Sequence, residues 1–396
     1  MIELLDRPLP EETVKRSSEK ILTTHVGALP GPLEAWSEGL SDEELRSVVR
    51  NVVAKQRAAG IDIVNEGELT KGGNWVAFIS SRLAGFEPGQ DGATFALLGD
   101  SEDWKEFSDF YQKALEGGTL FEQTRSTPIQ TNRRMDWVCR APICYTGQAA
   151  LQREIDLLRS ALGSQHPRDA FITTTAPASI EVGRKNEYYR DDEEFVFALA
   201  EALRVEYETI ANAGFLVQVD DAWLAALWDR IGVRMGLDEY RKYCMMRVAA
   251  LNHALTNVPE EQIRYHLCWG SWHGPHAHDI PLADIVDVML AVKAQTYLFE
   301  AANARHEHEY TIWEGVELPE GKILAPGVVT HSTPLIEHPE LVSQRIQRFA
   351  KIVGRENVIA STDCGLLLRC HPQIAWAKLK ALADGAALAS KALGYA

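Results

Sequence analysis

Several common features are missing from this 396-residue chain, and each omission narrows what it does. Positive charge is scarce: 40 Lys and Arg stand against 56 Asp and Glu, a formal net charge of −16. Non-specific nucleic-acid binding and anionic membrane surfaces both require basic patches, so neither is an expected partner. No run of 18 apolar residues occurs, so no transmembrane helix is expected. The opening MIELLDRPLPEETVKRSSEK is charged and lacks the apolar core of a secretory signal. Six cysteines are too sparse for a disulfide scaffold in a chain this long. The expected compartment is the cytoplasm, with thiols reduced and free for metals or catalysis. The G-x-G-x-x-G loop, the P-loop and the G-x-S-x-G elbow are absent as well.

What is present is an alternation. Short runs rich in Ile, Val, Thr and aromatics read as strands at 21–26, 61–68, 142–147, 170–177, 215–221, 265–271, 297–301, 323–329 and 358–365. Longer stretches of helical period separate them. One starts at Ser41 with Glu44 three residues on and stops at Gly60. Another opens on the acidic DDEEF and stops at Gly214, and a third ends at Gly354. Strand–helix–strand order implies parallel strands with right-handed crossovers. Nine strand candidates suit a (β/α)8 TIM barrel with one extra strand, and the missing dinucleotide loop weighs against a doubly wound sheet. The expected layout is an N-terminal arm over 1–20 and a single barrel domain over 21–396. An irregular Gly/Asp/Ser-rich insertion at about 85–134 would lie over one barrel end.

Barrel active sites gather at the C-terminal ends of the strands. Here those ends carry Glu66 and Glu68, Asp220 and Asp221, His266 and Cys268, Glu300, and Asp363 with Cys364. The stretch RYHLCWGSWHGPHAHD, 264–279, is the densest. His266 and Cys268 lie two apart on a strand and so share a face. Cys364 and Glu300 end other strands and can join them on one ion, a spacing natural for a barrel and wrong for a zinc finger. The plainer reading also stands: His266 as a core histidine and both cysteines as small buried hydrophobes. His273, His276 and His278 fall in a Gly/Pro loop facing solvent or substrate. His306 and His308 read as solvated surface. Cys139, Cys144 and Cys244 read as packing, and Cys370 and His371 lie beyond the Cys364 turn.

From about Thr23 to Cys370 the chain resembles the catalytic half of cobalamin-independent methionine synthase. It also resembles short relatives that include the epoxyalkane:coenzyme M transferases. The resemblance rests on H-x-C (His266, Cys268), a following glutamate (Glu300) and a cysteine in a D-C-G turn (Cys364). It implies that these four residues hold Zn2+. It further implies that Glu68 of NEGEL and Asp220 of VQVDDAW face the amino group of an amino-acid thiol. Three segments depart from the family pattern. Ala28 stands where a G-S-x-P turn has serine, leaving only its backbone N–H for the substrate carboxylate. Asp221-Ala222 replaces E-P. The D-x-H-S segment slips by one residue, with His331 in place of its histidine.

The implied activity is zinc-dependent S-alkylation of a small-molecule thiol, foremost methyl transfer to a thiol such as homocysteine. Epoxide opening by a zinc-bound thiol is the alternative, and a thiol-binding zinc protein without turnover is the third reading. Either His331 or His273 would serve as general acid, and Trp269, Trp272, Trp75 and Trp223 would wall the pocket. The resemblance leaves open the thiol, the alkyl donor, a methyl-carrier protein as partner and the oligomeric state.

Overall fold

The computed structural model describes residues 15–32, 40–71, 78, 81–89, 101–120 and 137–395. The strands are β1 (Leu22–Thr23), β2 (Leu83–Pro88), β3 (Trp137–Tyr145), β4 (Phe171–Thr175) and β5 (Arg184–Asn186). They continue with β6 (Leu216–Asp221), β7 (Ile263–Leu267), β8 (Thr296–Phe299), β9 (Ile323–Val329) and β10 (Ile359–Thr362). Seven of these form one curled sheet in the order β1-β10-β9-β8-β7-β6-β4, with every pairing parallel.

The segment read as a strand at 61–68 is not a regular one. Only Val64 makes a bridge, to Ala170. Its neighbours nevertheless tie the two sheet edges together. Asp62 and Ile63 N–H donate to Thr23 O at 3.1 and 3.0 Å. Val64 N–H donates to Asp169 O, and Phe171 N–H returns a bond to Val64 O, both at 3.0 Å.

Alternation along the strands sorts two cores. Leu22, Ile63, Phe171, Leu216, Leu298 and Ile359 cluster on one face. The intervening Ile172, Val217, Tyr265, Tyr297 and Ala360 join the larger cluster that packs the helices. His266 pairs in register with Leu298 and therefore stands on the first of these faces.

The helices start and stop where the sequence indicates. Helix Asp42–Ala59 has a complete capping box between Ser41 and Glu44 and a left-handed Gly60 at its end. Helix Asp192–Asn212 is capped by Asp191, and helix Pro339–Val353 ends at Gly354. The third strand candidate, 142–147, lies outside the main sheet. It belongs to β3, which pairs antiparallel with β2 and parallel with β5 in a second, three-stranded sheet.

The described part of the 85–134 region holds the end of β2 and two helices, Glu102–Glu106 and Ser108–Gly117. Tyr111 and Ala114 pack on Ala226 and Trp272, which follow β6 and β7, so this part lies at the C-terminal ends of those strands. Most of the arm falls outside the described residues, and no described helix is long and apolar enough to cross a membrane.

The two sheets meet at a buried ion cluster. Arg82 bonds Glu154 at 2.7 Å and Glu206 at 2.9 Å, and Glu206 also accepts from Tyr145 and Thr174 at 2.6 Å each. Two buried carboxylates thus depend on one guanidinium. Arg82→Met strands both, which costs about 3–5 kcal/mol. Urea denaturation of the two proteins at neutral pH checks this, and a loss below about 1 kcal/mol would contradict it.

Candidate active site

Pairing past the end of β7 sets the geometry. Cys268 N–H still donates to Asp221 O at 3.1 Å, so the sequence from His266 to Cys268 stays extended and both side chains face inward. Cys268 Sγ lies 3.9 Å from Cys364 Sγ and 4.0 Å from Glu300 Oε1. His266, Cys268 and Cys364 each offer a ligand atom within 4.8 Å of the others. His266 Nδ1 is bonded to Asp220 Oδ1 at 3.1 Å, whereas its buried Nε2 has no partner. A buried nitrogen left unpaired costs about 1–3 kcal/mol. A carboxylate on the other nitrogen is the usual support of a metal-binding imidazole. The orphan nitrogen, two sulfurs and a nearby carboxylate are a donor set that fits zinc.

A second group, Glu300, His331 and Asp363, is equally close-set. It is already filled by an amide: Asn303 Nδ2 donates to Glu300 Oε2 at 2.7 Å and to Asp363 Oδ2 at 3.3 Å. Asp363 Oδ1 takes the N–H groups of Ala301 and Ala302. Gly327 packs against Asp363 so tightly that a Cβ would collide with it.

The protons are distributed unevenly. Cys268 and Cys364 are hydrogen-bonded to each other, and this bond, with His266 and Arg369 nearby, brings the Cys364 thiol down to about 5 despite burial. The same bond, burial, and the charges of Cys364 and Glu300 push Cys268 well above the ordinary thiol range. Burial works against a charged His266, but Asp220, Cys364 and Glu300 carry it up to about 9. Burial, with Asp363 and Cys364, raises Glu300 to about 7 against the pull of His306.

A cavity of about 140 Å³ opens beside the sulfur pair. That is close to the size of an engineered cavity that takes up benzene, and suits a small thiol. Glu68, Asp220 and Ala28 line it, with Lys71, Ser271 and Arg369. Burial raises Glu68 to about 8, Lys71 opposing and Asp220 and Glu66 adding to the rise. Gly27 lets the Glu68 carboxylate approach, since a Cβ there would collide with Glu68 Oε1. Among the described residues four non-glycine residues have left-handed backbone, and three of them, Glu68 (φ 56°), Ser271 (φ 53°) and Leu368 (φ 65°), line this cavity. Such strain, on the order of 1–3 kcal/mol each, concentrates at functional sites.

Other predicted site residues fall elsewhere. Trp269 is fully buried, donates to Ile280 O at 2.9 Å and does not line the cavity. Trp272 bonds Tyr111 and stacks on His276, and Trp223 packs beside Arg230. These tryptophans are packing residues, and Trp75 lies outside the described residues. His331 and His273 are not among the residues that line the cavity. Burial and the Arg369 charge hold His331 well below its ordinary value and bring His273 to about 4, so both rings are neutral at pH 7.

His306 is a correction. RHEHE suggested a solvated surface, but the chain turns inward there. His306 is buried against Trp269 at a ring separation of 4.4 Å, and bonds Glu309 at 2.8 Å and Asp279 at 3.3 Å. Asp279 and Glu309 raise it to about 10 against burial. Cys139 and Cys244 are buried as packing residues, whereas Cys144 is exposed. Cys370 donates to His331 O, and His371 caps helix Pro372–Ala392.

Sequence reasoning missed Asn303, Lys71 and Arg369. An asparagine in a loop carries no distinctive signal. Arg369 offered a weak one, as a cation five residues beyond Cys364.

A curled parallel sheet with a cavity beside two cysteines at its strand ends is the framework of an α/β protein. Residues 134–387 match the cobalamin-independent synthase catalytic domain, and the chain belongs to that family. It is 22% identical over 377 residues to a methionine synthase of Saccharolobus solfataricus, covering 92% of this chain and 93% of that protein. It is 24% identical over 359 residues to one from Thermococcus kodakarensis, covering 89% and 87%. Its fold matches a B12-independent methionine synthase from Shewanella sp. W3-18-1, solved in complex with selenomethionine. The TM-score is 0.68 at 18% identity, over 94% of this chain and 99% of that one.

In metal-free protein at about pH 6, the low Cys364 value and the raised Cys268 value predict that iodoacetamide labels Cys364 well ahead of its neighbour Cys268. Mass spectrometry of the modified peptides reads this out, and equal labelling of the two would refute it. His306 yields a pH prediction. Its folded value lies above the unfolded one, so its stabilisation is complete below about pH 6.5 and is lost as pH rises through about 10. The stability gap between wild type and His306→Gln is therefore widest near pH 6 and narrows toward pH 10. A gap that widens would reverse the assignment.

Proposed function

We propose that this protein is a zinc-dependent thiol S-alkyltransferase whose reaction is methyl transfer to a small thiol such as homocysteine. The observation that carries the reading is the unpartnered Nε2 of His266 beside the Cys268–Cys364 pair. Family membership and the methionine synthases among its relatives support methyl transfer. His266, Cys268, Cys364 and Glu300 are the residues that would hold the metal. Bound by these residues, zinc would supply the Lewis acidity that lowers the pKa of a substrate thiol and leaves it nucleophilic.

The chain's own groups account for the rest. Asp220 engages Nδ1 of the imidazole, which leaves Nε2 free for the metal. Glu68 and Asp220 present carboxylates for a substrate ammonium group. Where the family pattern has a serine hydroxyl, Ala28 offers only its backbone N–H to a substrate carboxylate. His331, held neutral, is suited to take the thiol proton and return it to the leaving atom, with His273 as its alternate.

Glu68 and the cysteines sit at one end of the sheet, as in a closed (β/α)8 barrel, and we read residues 61–65 as its eighth stave. The six free cysteines accord with a reducing, cytoplasmic setting. Epoxide opening by the same bound thiol is the second reading, favoured by the missing hydroxyl at Ala28.

The decisive experiment counts zinc in purified wild type, Cys268→Ala and Cys364→Ala, with folding checked by circular dichroism. Wild type should hold about one zinc per chain, and both folded variants should lose it. Methyl donors and epoxides are then offered with homocysteine to the zinc-loaded wild type. Wild type that stays metal-free after exposure to zinc would refute the proposal.

A further inference from the structure

Asn303 lies three residues past Glu300, and its amide is locked in one orientation. Oδ1 accepts from the backbone N–H groups of Arg305 at 2.9 Å and His306 at 3.1 Å. The NH2 end must therefore face the other way, toward Glu300 Oε2 at 2.7 Å and Asp363 Oδ2 at 3.3 Å. Asp363 has no freedom to follow a moving partner. Two backbone amides hold its Oδ1, and Gly327 packs tightly against that same oxygen and the Asp363 backbone. The opposite oxygen, Glu300 Oε1, takes the Trp269 N–H at 3.2 Å and is the one 4.0 Å from Cys268 Sγ.

The geometry points to Asn303 as the positioning residue for Glu300: it engages Oε2 and leaves Oε1 as the single oxygen presented to the Cys268–Cys364 pair. This rests on the zinc reading above. A carboxylate held by one oxygen to an amide approaches a metal through the other alone. Asn303 touches neither metal nor substrate and acts through Glu300.

A double-variant cycle tests this. Zinc affinity is measured by chelator competition for wild type, Asn303→Leu, Glu300→Ala and the two combined. Asn303→Ser is run in parallel. Its hydroxyl still caps the amides of Arg305 and His306 but is too short to reach Glu300, so a leucine variant that fails to fold leaves the cycle intact. Each Asn303 change should weaken zinc binding about tenfold with Glu300 present and less than about twofold in Glu300→Ala. The cobalt(II)-loaded protein should show a changed visible spectrum only in the first background. Equal losses in both backgrounds, or none in either, overturn the role of Asn303. Wild type without zinc, or zinc that survives Cys268→Ala, overturns the reading beneath it instead.

Discussion

Negative charge taken out of water is the quantity this site has to balance. Glu300, Asp363 and the Cys268–Cys364 pair crowd into a space walled by apolar side chains, with Asp220 and Glu68 at its edge. Carboxylates and thiolates buried this way either gain protons or gain cations. Both responses are visible: Cys268 and Glu300 are pushed toward their protonated forms, while Cys364 keeps its charge beside His266 and Arg369. A divalent ion would replace those shared protons at a stroke. Metal binding, as proposed above, would relieve the same charge that the shared protons now relieve.

The rest of the fold holds that crowd in place. Asp363 is immobilised by backbone amides, Asn303 joins it to Glu300, and the Asp279–His306–Glu309 chain props the Trp269 loop from behind. Left-handed residues at Glu68, Ser271 and Leu368 turn the loops toward the cavity. Stabilising contacts elsewhere, such as the Arg82 cluster, offset that strain.

Much of this was legible from local rules. Alternation in R-Y-H-L-C set His266 and Cys268 on one face, and the same rule applied one residue further would have turned Trp269 into the core. Ser41, Glu44 and Gly60 marked a helix because capping chemistry is short-range. Burial of His306 was not legible, because it depends on Asp279 and Glu309 meeting it in space. The 61–68 segment reads as a strand by composition, yet its regular pairing is confined to Val64, since pairing partners are set by the sheet and not by the segment. Asn303 gave no sign at all, because its role resides in which way its amide is turned.

Asp220 has two duties, steadying His266 with one oxygen and lining the cavity. Binding at the cavity and binding at the ring nitrogen are then coupled equilibria, and the coupling is reciprocal. A ligand whose cationic end draws on Asp220 alters the basicity of His266, and a metal on His266 alters the pull of Asp220 on that ligand by the same factor. Occupancy of one position in the cavity is in this way felt at the other without any moving part.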